Sequence, residues 1–103
     1  LFFVVAGVMV VAYLIGHISI KDPQKWEDYR SQVPATLAPW QAELVFRGRK
    51  FAVLGGSHAH DDTVVIRFPD AESLRGWFAS PAYQALIPLR EAAADVTLVG
   101  YEA

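Results

Sequence analysis

The feature that most constrains this chain is the order in which two hydrophobic periods follow one another. A period of two marks strands and a period near 3.6 marks helices. Thr63 to Phe68 is the cleanest strand: Val64, Ile66 and Phe68 take one face, and Thr63, Val65 and Arg67 take the other. Val10 to Ile20 reads the same way. Ala12, Leu14, Gly16, Ile18 and Ile20 form a face fit for covering by helices, while Tyr13, Ile15, His17 and Ser19 form a mixed face. Between these strands Asp22-Pro23 opens a helix, because Asp is a good N-cap and Pro fits the first helical position. Trp26, Tyr29, Arg30 and Val33 then recur at helical spacing until Pro34, where the pattern is expected to break. Thr36 to Trp40 has room for a further turn.

Ala42 to Leu54 is rich in strand formers, with Arg47-Gly48-Arg49 marking a bulge or bend. Gly55 to Asp62 reads as a polar loop. Asp70 caps a second helix whose apolar stripe is Leu74, Trp77 and Phe78. Ser80-Pro81 restarts a short helical segment through Leu86, and a last strand runs from Asp95 to Tyr101. The order is β-α-β-β-α-β. Right-handed crossovers leave a ferredoxin-like α+β fold with an antiparallel sheet, its first and third strands central and both helices on one face. The other sheet face, with Tyr13, Ile15, Val65 and Tyr101, then needs cover, and a second copy is the economical source. A homodimer is therefore expected.

The chain has 103 residues, of which 53% are hydrophobic and 13% aromatic, which is rich for a small monomer and favours a buried partner face. Net charge is −2 and no basic stripe occurs, so nucleic acid is not an expected partner. Cysteine is absent, which rules out disulfides, thiolate metal sites and cysteine nucleophiles and agrees with a cytoplasmic setting. Leu1 to Ile15 is almost unbroken apolar sequence, but it falls short of the roughly 20 residues of a membrane span. No Lys or Arg precedes Lys21, so the basic start of a signal peptide is missing. Residues 1–10 are expected to be an apolar extension, with Met9 near the natural start, and 11–103 to be the domain. A truncated export or anchor segment is the competing reading.

An ordered set of segments carries a resemblance. It comprises Ala12-Tyr13-Leu14-Ile15, Asp22-Pro23 with Trp26 and Tyr29, Phe46-Arg47-Gly48, Val64-Val65-Ile66-Arg67-Phe68-Pro69, and Trp77-Phe78-Ala79-Ser80-Pro81-Ala82-Tyr83 followed by Arg90. Together, from Val11 to Tyr101, they resemble the small bacterial family known as domain of unknown function 1330. The resemblance implies the dimeric α+β barrel superfamily, in which two sheets face each other and each protomer encloses a cavity. That superfamily holds cofactor-independent monooxygenases, muconolactone-isomerase-like proteins, haem-degrading enzymes and stress-response barrels, so it fixes no activity. The chain departs from the family pattern at Arg49, where a second Gly is expected, at Gly55, where a Glu is common, and at Phe78, where a Tyr is common. The last two changes remove possible acid–base groups.

His17 and Arg67 lie on the mixed faces of strands expected to be neighbours, so both are expected to reach one inter-sheet cavity. There His17 can act as a base beside a cation, or Arg67 can bind an anion; these two are the candidate catalytic residues. The alternative is a hydrogen-bonded His and an Arg paired to a carboxylate across the dimer. Arg47 and Arg90 offer forks for a small carboxylate, and Tyr13 and Tyr83, with Tyr29, can orient a substrate oxygen. Helical spacing assigns Trp26 and Trp77 to the core. His58-Ala59-His60-Asp61-Asp62 has metal-ligand residue types but reads as a solvated turn, so no metal is expected. No phosphate loop or dinucleotide fingerprint occurs, so no cofactor is expected, and no His falls on an evident helix where haem would want a ligand. Two functions are compatible with these residues. One is the binding or conversion of a small aromatic or anionic molecule, by proton transfer, isomerisation or cofactor-independent oxidation. The other is a non-catalytic dimeric module with a stress-related or regulatory role.

Overall fold

The computed structural model describes residues 10–103. Met9 and all but the last residue of the proposed N-terminal extension lie outside the described residues.

Strand β1 (Ala12–Ile20) is followed by helix α1 (Pro23–Leu37), a 3-10 turn (Ala38–Trp40) and strand β2 (Glu43–Arg49). Then come β3 (Asp62–Phe68), α2 (Ala71–Ala79), α3 (Pro81–Gln84), α4 (Ile87–Ala93) and β4 (Ala94–Glu102). The sheet is antiparallel in the order β2-β3-β1-β4, with β1 and β3 central as the topology required. Each main helix starts at the expected cap. Asp22 accepts hydrogen bonds from the amides of Gln24 and Lys25, both at 3.1 Å. Asp70 accepts from the Ser73 amide at 2.7 Å, and that bond holds the Asp70 carboxyl below its ordinary value.

Ala12, Leu14, Ile66 and Phe68 of the sheet meet Tyr29, Trp77, Tyr83 and Leu86 of the helix layer in one core. Trp77 is 2% exposed, and its indole nitrogen donates to Thr36 Oγ1 at 3.0 Å. Thr36 in turn donates to the Val33 carbonyl at 2.7 Å, so the buried N–H and hydroxyl satisfy each other.

Four local expectations change. α1 runs through Pro34 to Leu37, because the proline forfeits a single helical bond while Tyr29, Val33, Thr36 and Leu37 remain packed on the core side. Residues 87–93, read as chain after a short helical segment, form α4, with Pro88 in its first turn where its missing N–H costs nothing. β2 stops at Arg49 rather than Leu54, since its partner β3 begins only at Asp62; Lys50 closes the ladder by donating to the Asp61 carbonyl. The bulge lies at Leu44–Phe46 and not at Gly48, which keeps regular register with Thr63. Among the described residues no helix is long and apolar enough to cross a membrane.

Candidate functional site

The bulge in β2 decides which way Arg47 faces. Glu43 lies opposite Arg67 and Leu44 opposite Ile66; past the extra residue Val45, Phe46 lies opposite Val65 and Arg47 opposite Val64. One inserted residue reverses the facing of everything after it. Arg47 therefore turns to the helix side of the sheet.

On that side a cavity of about 320 Å³ opens between α1 and the sheet. α1 packs against α4 and α3 rather than down onto β2, so the edge strand's inner face stays uncovered. Leu14, Ile18, Val64, Ile66, Val96 and Leu98 form the sheet wall of the cavity. Trp26, Val33, Pro34 and Leu37 form the helix wall, while Leu44 and Arg47 of β2 and Arg30 of α1 add a cationic edge. Arg30 is engaged by Glu27 at 2.7 Å; Arg47 is exposed and makes no ion pair among the described residues.

Tyr29 and Tyr83 add two phenols to the lining. Tyr83 is fully buried at the N-terminal turn of α3, its amide held by Ser80 Oγ. The two hydroxyls share a hydrogen bond of 2.8 Å, and Arg90 Nη1 donates to the Tyr83 oxygen at 2.9 Å. Burial pushes the Tyr29 phenol well above its ordinary value, and Tyr83 adds to this by its proximity and hydrogen bond. Burial works against the Arg90 charge, yet its bonds to Tyr83 and to Glu91 leave the guanidinium held more firmly than usual. The result is a hydrogen-bonded phenol pair backed by a fixed cation. Such a pair can donate to, and polarise, an oxygen on an apolar ligand.

The candidates named from sequence thus divide between two faces. Arg47 and Tyr83 line the helix-side cavity, and Arg90 supports it from behind. His17, Tyr13 and Arg67 lie on the open sheet face. His17 and Arg67 do not converge: His17 is opposite Thr63 and Arg67 opposite Tyr13. Four residues of strand separate them, about 13 Å at roughly 3.3 Å per residue. Arg67 is instead paired with Glu43 of its own chain at 2.6 Å, and His17 stands beside His58 and His60. A separate cavity lies on the helix side of the sheet, where the neighbouring helices leave β2 bare. Tyr29, Arg30 and Trp26 complete the cavity. Their signal was the i, i+3, i+4 stripe of α1, which marks an inward face without telling a packed one from a hollow one.

The family profile described as Domain of unknown function (DUF1330) matches residues 11–103, nearly the whole chain. The chain belongs to the DUF1330 family. No curated protein matches this DUF1330 chain. Solved structures resemble its fold. A protein of unknown function from Rhodopseudomonas palustris superposes with a TM-score of 0.79 at 13% identity, covering 93% of this chain and 84% of that one. A dimeric ferredoxin-like protein of unknown function from a Jannaschia species gives 0.70 at 12% identity, over 90% and 99% of the two chains. SnoaB, a cofactor-independent oxygenase from Streptomyces nogalater, gives 0.62 at 15% identity, over 93% and 94%. The DUF1330 chain is thus a ferredoxin-like α+β protein whose structural neighbours include dimers.

Proposed function

We propose that this protein is a homodimer that binds a small, flat, largely apolar molecule carrying one anionic group in the cavity between α1 and the sheet. The observation that carries this reading is the cavity itself. Its volume, about 320 Å³, lies in the range of small-molecule sites, and its walls are apolar with a few polar groups among them. Arg47 suits the anion at the edge strand, and the Tyr29–Tyr83 pair suits an oxygen. The second copy covers the open face, where Phe46, Ile15 and Tyr101 would otherwise meet water. The likeness to SnoaB supports a reading in which a bound aromatic is activated by hydrogen bonding alone, with Tyr29 and Tyr83 as the polarising groups; at this identity the support is by fold. An unfilled cavity favours binding over a purely structural module.

The test uses naphthoic acid and its neutral alcohol analogue, with affinity read by calorimetry. Arg47→Met is expected to weaken binding of the acid by about tenfold, roughly 1.4 kcal/mol, and to leave the alcohol unchanged. Leu44→Trp, which fills the edge of the cavity, is expected to weaken both. Wild-type affinity for both probes in both variants would refute the site, as would failure of the wild-type protein to bind either.

A further inference from the structure

All three histidines of the chain meet at one place on the open sheet face. His17 comes from β1; His58 and His60 return to it from the loop of residues 50–61. The ring centroids lie 4.9 Å apart for His17 and His58, 6.2 Å for His17 and His60, and 5.9 Å for His58 and His60. His58 meets His17 edge to face, and His60 stacks on it. His60 Nδ1 also shares a hydrogen bond of 3.1 Å with Ser19 Oγ.

Few other bonds hold the loop. Lys50 donates its amide to the Asp61 carbonyl at 2.7 Å and its ammonium to the His58 carbonyl at 2.9 Å. The Asp61 amide donates to the Ile18 carbonyl at 3.1 Å. Between these anchors the loop presents Phe51 and Leu54, which are 84% and 92% exposed. The rings are thus a large share of what fastens an apolar arm to the sheet.

The surroundings do not favour a charged cluster. Thr63 of β3 and Thr97 of β4 are the register partners of His17. The charged groups of the adjoining segments are Lys21 of the β1–α1 turn, Asp95 of β4, Arg49 of β2, Lys50 and Asp61 of the loop, and Asp62 of β3. Asp95 is taken by Lys21 at 3.6 Å, and among the described residues no carboxylate lies within ion-pair distance of any of the three rings. His17 Nδ1 is buried with no hydrogen-bond partner. Burial, then the nearby His58 and His60, lower the His17 pKa below its ordinary 6.5. No three donors among the described residues are arranged to hold a metal ion, so these rings do not form a ready coordination site.

We propose that His17, His58 and His60 form a proton-sensitive clasp that holds the 50–61 loop on the sheet while neutral and releases it when protonated. The sign follows from linkage. A histidine that binds its proton more weakly in the closed form stabilises that form fully above about pH 6.5. The stabilisation falls as pH drops below that value toward the closed-form pKa. Protonating a second ring only 5–6 Å from the first adds like-charge repulsion. Release frees the arm bearing Phe51 and Leu54, so acidification changes the apolar surface that this sheet face offers to the second copy.

The test is NMR on the intact protein with a chelator present. It follows the histidine ring shifts and the exchange protection of the Lys50 and Asp61 amides, corrected for intrinsic rates. From pH 7.5 to 5.5 that protection is expected to fall severalfold, because a proton binds more tightly to the open loop than to the closed one. The Leu14 and Ile66 amides are expected to keep theirs, and the loop shifts should share the midpoint of the His17 ring. His17→Asn should flatten the response. Should that variant lose the loop at every pH, the shared midpoint in the wild type still decides. Unchanged protection, a loop midpoint near pH 4 that follows Asp61 or Asp62, or the full response in a protected His17→Asn loop would each overturn the clasp.

Discussion

Trp77→Ala is expected to cost about 3–5 kcal/mol, a large part of the roughly 5–15 kcal/mol that holds a domain of this size together. The indole is enclosed on several sides. Its ring centroid lies 4.1 Å from that of Tyr83 and 5.6 Å from that of Phe68, and its N–H is bonded to Thr36. Little nearby can collapse into the space, because Tyr83 is tied to Tyr29 and Arg90 and Phe68 is fixed in a central strand. Thr36→Val separates the polar part from the packing. It keeps the side-chain volume and strands the indole N–H, and about 1–3 kcal/mol is expected to be lost. Urea unfolding of both variants checks the pair. A Trp77→Ala loss below that of Thr36→Val would contradict this view of the core.

Gly76→Ala is expected to destabilise by about 1–3 kcal/mol, although the same change in an exposed helix interior gains up to about 1 kcal/mol. Gly76 lies within α2 where the helix crosses Trp40 of the 3-10 turn. A Cβ there would stand 2.5 Å from Trp40 Cζ3 and 2.7 Å from Cη2, closer than such atoms can approach. The indole is rigid and belongs to a turn packed against the core, so it cannot swing aside as a long flexible chain would. Thermal denaturation of Gly76→Ala, alone and combined with Trp40→Ala, gives a double-mutant cycle. The alanine at 76 should cost stability with Trp40 present and restore helix propensity with Trp40 removed. A stabilising Gly76→Ala in the wild-type background would contradict the contact.

The sequence disclosed most where a side chain's role depends on its near neighbours. Val64, Ile66 and Phe68 alternate so strictly with Thr63, Val65 and Arg67 that the faces of β3 followed directly, and Leu14 against His17 did the same for β1. Asp22 and Asp70 announced their helices because capping is a contact within a few residues. What depended on distant parts of the chain was not legible. Phe51 to Leu54 has the composition of a strand, but strand length is set by the partner, and β3 begins at Asp62. Pro88 serves equally to end one helix or begin another. Arg47 could not be assigned a face, since parity passes through the unannounced bulge at Val45. That bulge also parted Arg47 from the open face that holds His17 and Arg67. The stripe of Trp26, Tyr29 and Val33 pointed inward as expected, but the hollow beneath it depends on how α1 leans on α4.

Arg90 belongs both to the core and to the surroundings of the proposed site. Its guanidinium is buried, and it donates to the Tyr83 hydroxyl, which also shares a hydrogen bond with Tyr29. A buried cation with one of its nitrogens, Nε, unpaired is an expensive element in a small core. Holding a phenol in one orientation is a use that an apolar residue at this position would not serve.

The most direct measurement is a crystal structure of the protein soaked with naphthoic acid. The expected result is one molecule per protomer between α1 and the sheet, its carboxylate near Arg47 and its ring against Trp26 and Val33. Density confined to the open sheet face, beside His17 and Arg67, would contradict the assignment of the helix-side cavity as the binding site.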